Sequence, residues 1–225
     1  MKTIGVFDHV TVDGFFAGPH GEIDWFKFIK KDSEWDAYTH KQSQSGHNTL
    51  VFGHTTYEMM KNWWPTPIAI KNDPDTAKVV NNSPKIVFSR TLQSVEEGPN
   101  WKNVKLFPDI NPEEIIKLKK KERMTILGSG SIVQQFANLN LIDEYTLVVV
   151  PVILGNGKPL FKDVKMKNLE LLETRSFKNG IALLRYKPVK GYGVEEIGAG
   201  LQLTRHNVML TFNPKSSNLI MSYFH

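Results

Sequence analysis

The 225-residue chain contains no cysteine. This absence excludes disulfide bonds, thiolate zinc sites and a cysteine nucleophile, although it leaves the redox compartment open. The chain also lacks an apolar run of about 18 residues, so the sequence predicts no membrane-spanning helix. Its first segment, MKTIGVFDHVTVDG, has no continuous apolar stretch and reaches a charge at Asp8, which argues against a secretory signal peptide. A cytoplasmic protein is the resulting expectation.

Signals for metal ions and nucleic acids are also weak. The seven histidines have no metal-type spacing, such as two histidines on one helix face beside an acid. Lys and Arg number 28 against 23 for Asp and Glu, and the resulting net charge of +5 is modest for a nucleic-acid binder. The basic pI near 9.2 suits a small phosphorylated molecule. We therefore expect a small-molecule ligand, with no metal, no nucleic acid and no membrane as partner.

The order of strand and helix patterns predicts an α/β protein. Short β-branched apolar runs alternate with helical patterns in the first part of the chain, whereas only strand patterns follow Asp143. Predicted strands include 3–12, 49–53, 85–89, 104–107, 124–127 and 145–154, and predicted helices include 25–45 and helices that begin near 55, 111 and 131. Residues 63–84 contain four prolines and predict a long irregular segment with at most one helical turn. About eight strands and four helices indicate a mixed, mainly parallel sheet with helices on both faces, a three-layer α/β/α fold.

Three predicted strands end in groups that suit a phosphate. The turns are Gly53-His54-Thr55-Thr56, Ser89-Arg90 and Gly128-Ser129-Gly130-Ser131. Open α/β sheets bind ligands outside the carboxyl ends of their strands, and a helix N-terminus offers free N–H groups to an anion. Each turn alone could be a plain strand-to-helix connection. Together they favour a dinucleotide lying across the sheet edge.

The Gly128–Ser131 turn matches neither common phosphate-binding fingerprint. No Gly-Lys-Ser/Thr follows it, so it is not a P-loop. Val133 stands where the third glycine of GxGxxG would be, which disfavours a standard Rossmann site.

Five motifs in order resemble the RibD C-terminal-like branch of the dihydrofolate reductase superfamily. They are TVDGFFAGP from Thr11, VFGHTTYE from Val51, KIVFSRTL from Lys85, LGSGSI from Leu127, and LIDEY with PVILGNGKPLF from Leu141 and Pro151. The resemblance covers about residues 2–187. It implies a dihydrofolate reductase-like domain over 1–187, NADPH as cofactor and hydride transfer as chemistry. Residues 188–225 do not extend the pattern and are treated as an appendage, either an extra strand or hairpin, an oligomer contact or added sequence.

The resemblance also implies which residues bind the cofactor. They are Gly53, His54, Thr55, Thr56, Ser89, Arg90, Gly128, Ser129, Gly130, Ser131 and Ile132. His54 stands where the family has arginine, which removes a permanent cation from the pocket for the 2′-phosphate and leaves the choice between NADPH and NADH open. Arg90 could supply the missing charge.

At the substrate end, the resemblance implies that Asp13 faces the nicotinamide. A carboxylate there could relay the proton that a hydride acceptor needs. The alternative is that Asp13 makes a local turn before Gly14. Asp24 is expected to be an N-cap or a substrate ligand, while Phe16 and Trp25 could wall a pocket for a flat ring or belong to the core.

Two functions follow from these residues. The first is an NAD(P)H-dependent reductase of a small heteroaromatic or ribosylaminopyrimidine-type substrate, similar to 5-amino-6-(5-phosphoribosylamino)uracil reductase or dihydrofolate reductase. The second is a nucleotide-binding protein of the same fold without catalysis. Without cysteine, a zinc deaminase half is excluded, so any role in riboflavin biosynthesis would be that of the reductase. A homodimer through the late strands is expected because exposed strand edges invite pairing.

Overall fold

The computed structural model describes residues 2–44, 48–189, 208–212 and 219–223. Twelve strands lie within these residues: β1 (Ile4–Thr11), β2 (Phe15–Ala17), β3 (Thr49–Gly53), β4 (Lys85–Phe88), β5 (Val104–Phe107), β6 (Met124–Leu127), β7 (Glu144–Val150), β8 (Lys158–Pro159), β9 (Leu169–Ser176), β10 (Ala182–Pro188), β11 (Val208–Phe212) and β12 (Leu219–Tyr223).

Eight of these strands form one sheet in the order β5-β4-β3-β6-β1-β7-β10-β9. Every neighbouring pair from β5 to β7 is parallel, whereas β10 runs antiparallel to both β7 and β9. The predicted eight-stranded, mainly parallel mixed sheet is therefore confirmed. The predicted homodimer stays a prediction, because the structure is that of a single chain.

The helices include two that the sequence pattern missed. The described residues form a 3-10 helix (Asp24–Phe28) and six α-helices: α1 (Ser33–Gln44), α2 (His54–Trp63), α3 (Pro67–Asn72), α4 (Pro74–Asn82), α5 (Pro112–Lys121) and α6 (Gly130–Asn138). The segment 63–84, predicted to hold at most one helical turn, contains α3 and α4. Pro67 and Pro74 start these helices, and Thr66 and Asp73 cap them. Proline at the first helical position has no N–H to leave unpaired, so here it begins a helix.

The single helix predicted over 25–45 is divided. The chain leaves the 3-10 helix at Ile29, whose backbone is extended. The Asp32 carboxylate then accepts the N–H of Glu34 at 2.9 Å and that of Trp35 at 3.5 Å. These contacts start α1 separately.

Helices cover both faces of the sheet. Val6 of β1 and Val51 of β3 pack in a cluster that includes Ile115 of α5 and Phe136 of α6. Their chain neighbours lie on the other face: Phe7 packs with residues of α1, and Phe52 with residues of α2 and α4. This alternation is the period of a strand, and it produces three layers.

The chain divides into two compact units, Met1–Tyr192 and Gly193–His225. Within the second unit β11 and β12 pair antiparallel, from Val208 opposite Tyr223 to Phe212 opposite Leu219. Among the described residues, no helix has the length and apolarity needed to cross a bilayer.

Candidate functional site

The carboxyl ends of β4, β3, β6 and β1 lie side by side and open onto a cavity of about 990 Å³. This volume is at the upper end of the range of small-molecule sites. All the residues that the resemblance assigned to the cofactor line this cavity, and so does Phe16. The structure thus brings the three strand-end turns together at one edge of the sheet.

Two helices begin at this cavity without side-chain caps. Helix α2 starts after Gly53 and α6 after Ser129, and no side chain of the described residues caps either first turn. In contrast, Thr66, Asp73 and Asn111 cap α3, α4 and α5 by accepting first-turn N–H groups. A diphosphate would accept hydrogen bonds from the unused N–H groups of these first turns. Its negative charge would also interact favourably with the positive dipole ends of α2 and α6.

A network of short hydrogen bonds fixes the turn before α6. The Gly53 N–H donates to Ser129 Oγ at 2.7 Å, and Ser129 Oγ lies 2.7 Å from Thr56 Oγ1. Gly128 and Ser129 both have left-handed backbones, with φ of 57° and 63°. A left-handed serine costs roughly 1 kcal/mol, so the network holds a conformation that the residue alone disfavours. The two uncapped helix starts are thereby held next to each other.

The third turn carries the charges of the cavity rim. Arg90 donates through Nε to Asp109 Oδ1 at 2.7 Å, and its Nη2 lies 2.5 Å from the same oxygen. Both residues line the cavity, and the Arg90 side chain is 78% exposed. His54 Nδ1 lies 3.0 Å from Thr91 Oγ1. The rim therefore presents a cation that an acid already partly neutralises.

Asp8 and His9 of β1 supply two ionisable groups to the cavity lining, of which Asp8 is buried and His9 is half-buried. Asp8 Oδ1 accepts the Gly128 N–H at 2.7 Å, and burial raises the pKa of Asp8 to about 8. The His9 ring makes edge contacts with Phe7, Phe26 and Trp35, and burial lowers its pKa to about 4. Near pH 7 both side chains are uncharged.

Asp13, expected from the resemblance to relay a proton, is not among the residues lining the cavity. Its carboxylate accepts the Thr11 hydroxyl at 2.6 Å and the N–H groups of Leu154 and Gly155 at 3.2 and 2.7 Å. The Thr11 hydrogen bond holds the pKa of Asp13 below its usual value. Asp13 therefore joins two loops, and its role as a proton relay stays a prediction.

Asp24 and Trp25 also lie outside the cavity lining. Asp24 is exposed and pairs with Lys27 at 3.2 Å, and the residue in the N-cap position of the 3-10 helix is Ile23. The Trp25 side chain is only 1% exposed and stacks edge-on with Phe26. Trp25 is thus a core residue, and Phe26 takes the position at the cavity wall.

Sequence reasoning missed four ionisable cavity residues: Asp8, His9, Asp109 and Lys158. For Asp8 and His9 a signal was available, because ionisable residues inside a buried strand are rare. Asp109 and Lys158 lie in a loop and in a two-residue strand, where no periodic pattern marks them. Among the described residues no cluster of His, Cys, Asp or Glu is suited to hold a metal ion.

Comparison with known proteins gives a family match over most of the chain. The RibD C-terminal domain family matches residues 2–183. YyaP, an uncharacterized protein of Bacillus subtilis (strain 168), is 33% identical over 184 residues, which cover 79% of this chain and 90% of YyaP.

Solved structures show the same fold. A putative riboflavin biosynthesis protein from Shewanella sp. PV-4 superposes with a TM-score of 0.65 at 22% identity, covering 84% of this chain and 99% of the other. Dihydrofolate reductase from Enterococcus faecalis, complexed with NADP(H) and RAB-propyl, superposes with a TM-score of 0.53 at 16% identity, covering 83% of this chain and 96% of the other. At these identities the likeness establishes a dihydrofolate reductase-like fold.

Proposed function

The chain belongs to the RibD C-terminal domain family, and from that premise we propose that it is an NADPH-dependent reductase of a small heteroaromatic or ribosylaminopyrimidine-type substrate. Members of the family are NADPH-dependent reductases. The residues that line the cavity of this chain suit both NADPH and hydride transfer, as follows from their positions.

The observation that carries the proposal is the pair of uncapped helix starts at one cavity. The first turns of α2 and α6 offer backbone N–H groups, and Thr55 and Ser131 add hydroxyl groups beside them. A Cβ atom on Gly53 would lie 3.2 Å from Ser129 Oγ. The absence of a side chain at Gly53 therefore lets the starts of α2 and α6 pack closely together. These donors fit a diphosphate, while Arg90 and His54 would meet the adenosine end.

The aromatic residues of the cavity lining suit a flat ring. Phe7, Phe16 and Phe26 provide apolar walls, and the His9 ring lies 5.1 Å from the Phe26 ring. NADPH supplies a hydride when it is bound. The residues of this chain would exclude water from the reacting atoms, and His9 and Asp8 would carry no charge near pH 7.

The alternative is a nucleotide-binding protein without catalysis. One observation favours it: Asp13, which the resemblance implied as the proton relay, is engaged in a turn outside the cavity lining. Both functions require the same cofactor cleft, so cofactor binding alone does not separate them.

Turnover separates the two functions. Trp64 lines the cavity, so quenching of tryptophan fluorescence reports NADPH binding. The reductase should consume NADPH, followed by its nicotinamide absorbance, with at least one member of a pteridine and ribosylaminopyrimidine panel. Quenching without consumption across the panel would favour the binding protein.

Cofactor choice should depend on the Arg90–Asp109 pair. We expect Arg90→Ala to weaken NADPH binding about 10- to 100-fold with little effect on NADH, because a charged hydrogen bond contributes about 1.5–3 kcal/mol. Asp109→Asn should strengthen NADPH binding, because it removes the carboxylate that pairs with Arg90. Isothermal titration with both cofactors measures these changes.

Lys162→Ala is the matched control for this pair, because it removes one exposed positive charge outside the cavity lining. It should leave both affinities unchanged. Equal losses of NADPH and NADH binding in Arg90→Ala would contradict the assignment of Arg90 to the 2′-phosphate.

A further inference from the structure

Asp8 is a carboxyl group held in the middle of the sheet. It lies on β1, between β6 and β7, and is 5% exposed. Oδ1 accepts the Gly128 N–H at 2.7 Å. Oδ2 is closed to solvent and has no hydrogen-bond partner among the described residues. One oxygen of this carboxyl group therefore stabilises the Gly128 turn, and the other oxygen is unpaired.

Among the described residues, the elements packed around Asp8 place no compensating cation beside it. Strand β6 and helix α6 carry no titratable side chain. Strand β7 contributes Tyr145 to this face, and burial raises its pKa to about 12. Helix α5 presents Ile115 and Leu118 to the same core, while its Lys119 is paired with Asp143.

The remaining ionisable groups near Asp8 lie on the opposite face of the sheet or in the lining of the cavity. The neighbouring residue His9 is directed to the opposite face of the sheet, where burial among aromatic rings keeps it neutral. Helix α2, strand β8 and the rim of the cavity contribute His54, Lys158, Arg90 and Asp109. None of these contributes to the shifted pKa of Asp8, which is raised to about 8 by burial.

The protonation state of Asp8 determines how well the Gly128–Ser129 turn can bind an anion. A neutral carboxyl group still accepts the Gly128 N–H through Oδ1, so the turn keeps its support. An ionised carboxylate would place a negative charge one hydrogen bond away from the turn that should meet the diphosphate. In a buried environment that charge is poorly screened.

We propose that Asp8 is a positioning residue for the cofactor: its neutral form fixes the Gly128–Ser129 turn for a diphosphate, and its ionisation weakens diphosphate binding. This inference rests on the proposed function, since it presumes that the cavity binds NADPH. It adds a residue of the central strand to the machinery and makes cofactor binding dependent on pH.

The test is the dissociation constant of NADPH as a function of pH. Above pH 8 the wild-type constant should rise by up to about tenfold per pH unit, because binding then requires proton uptake. Asp8→Asn retains the acceptor for Gly128 without an ionisable group, so it should bind as the wild type does at neutral pH and lose this rise. Asp8→Ala loses the acceptor and should bind weakly at every pH.

Calorimetry provides a readout that is independent of turnover. The binding enthalpy measured in two buffers of different ionisation enthalpy gives the number of protons taken up on binding. Near pH 8, NADPH binding to the wild type should take up a fraction of a proton, and binding to Asp8→Asn should lack this uptake. Asp36→Asn, which removes an exposed carboxylate of α1, should behave as the wild type.

The possible failures are distinguishable. If Asp8→Asn shows the same rise and the same proton uptake as the wild type, the inference is overturned while the proposed cofactor site stands. If the wild type does not bind NADPH at any pH, the proposed function falls, and this inference falls with it.

Discussion

Replacing Ser131 by aspartate should raise the dissociation constant of NADPH by about 100- to 1000-fold without unfolding the protein. Ser131 is an exposed residue of the first turn of α6 and lines the cavity. A new carboxylate there would face the diphosphate, and two like charges about 4 Å apart repel by about 4 kcal/mol at an effective dielectric constant near 20. The same carboxylate lies at a helix N-terminus, where it should stabilise the fold by about 0.3–1 kcal/mol.

This variant is informative because stability and binding should change in opposite directions. Thermal unfolding measures the first quantity, and tryptophan quenching or isothermal titration measures the second. Ser131→Asn has nearly the same shape without the charge and should bind NADPH far better than Ser131→Asp. Equal affinities of the two variants would argue that no phosphate approaches α6.

Replacing Asp8 by asparagine should stabilise the folded protein, and increasingly so as the pH rises. The folded pKa of about 8 lies above the ordinary value of 3.8, so the folded state retains a proton that the unfolded chain gives up. Wild-type stability is therefore lost as pH rises from about 4 to about 8, at about 1.4 kcal/mol per pH unit. The advantage of Asp8→Asn in the free energy of unfolding should reach about 5 kcal/mol at pH 8.

Urea unfolding of both proteins at several pH values measures this difference. His9 provides a contrast with the opposite sign. Its pKa is lowered to about 4, so its contribution to stability is lost as pH falls from about 6.5 towards 4. The advantage of His9→Gln should therefore grow at the acid end. An Asp8→Asn advantage that is constant with pH would show that Asp8 is ionised in the folded protein.

The stabilisation expected from Asp8→Asn also bears on why an acid occupies this position. A buried, half-paired carboxyl group reduces stability, and such residues are typical of functional sites. Stability alone would favour an amide or an apolar side chain at residue 8.

The fold was predictable because its signals are local and periodic. β1, β3, β4 and β6 are short apolar runs, and two of them lead directly into helix starts with glycine at the junction. The match of five motifs in order then indicated the family. The meeting of the three turns at one sheet edge was predictable for the same reason, since the turns follow the ends of those strands.

The errors arise where the same residue type has two opposite uses. Proline both breaks helices and begins them, and at Pro67 and Pro74 the preceding caps decide in favour of a helix. The contacts of Asp13 with Leu154 and Gly155 involve residues distant in sequence, so no local pattern indicates them. The hydrogen bond of Asp8 cannot be predicted from a local pattern, because its partner Gly128 is 120 residues away.

The crystal structure of the chain with NADPH is the most direct test of the cofactor site. We expect the diphosphate at the first turns of α2 and α6, the 2′-phosphate at Arg90 and His54, and the nicotinamide beside β1 near Asp8 and His9. A diphosphate bound elsewhere, or a cavity without NADPH in crystals grown at a saturating concentration, would contradict it.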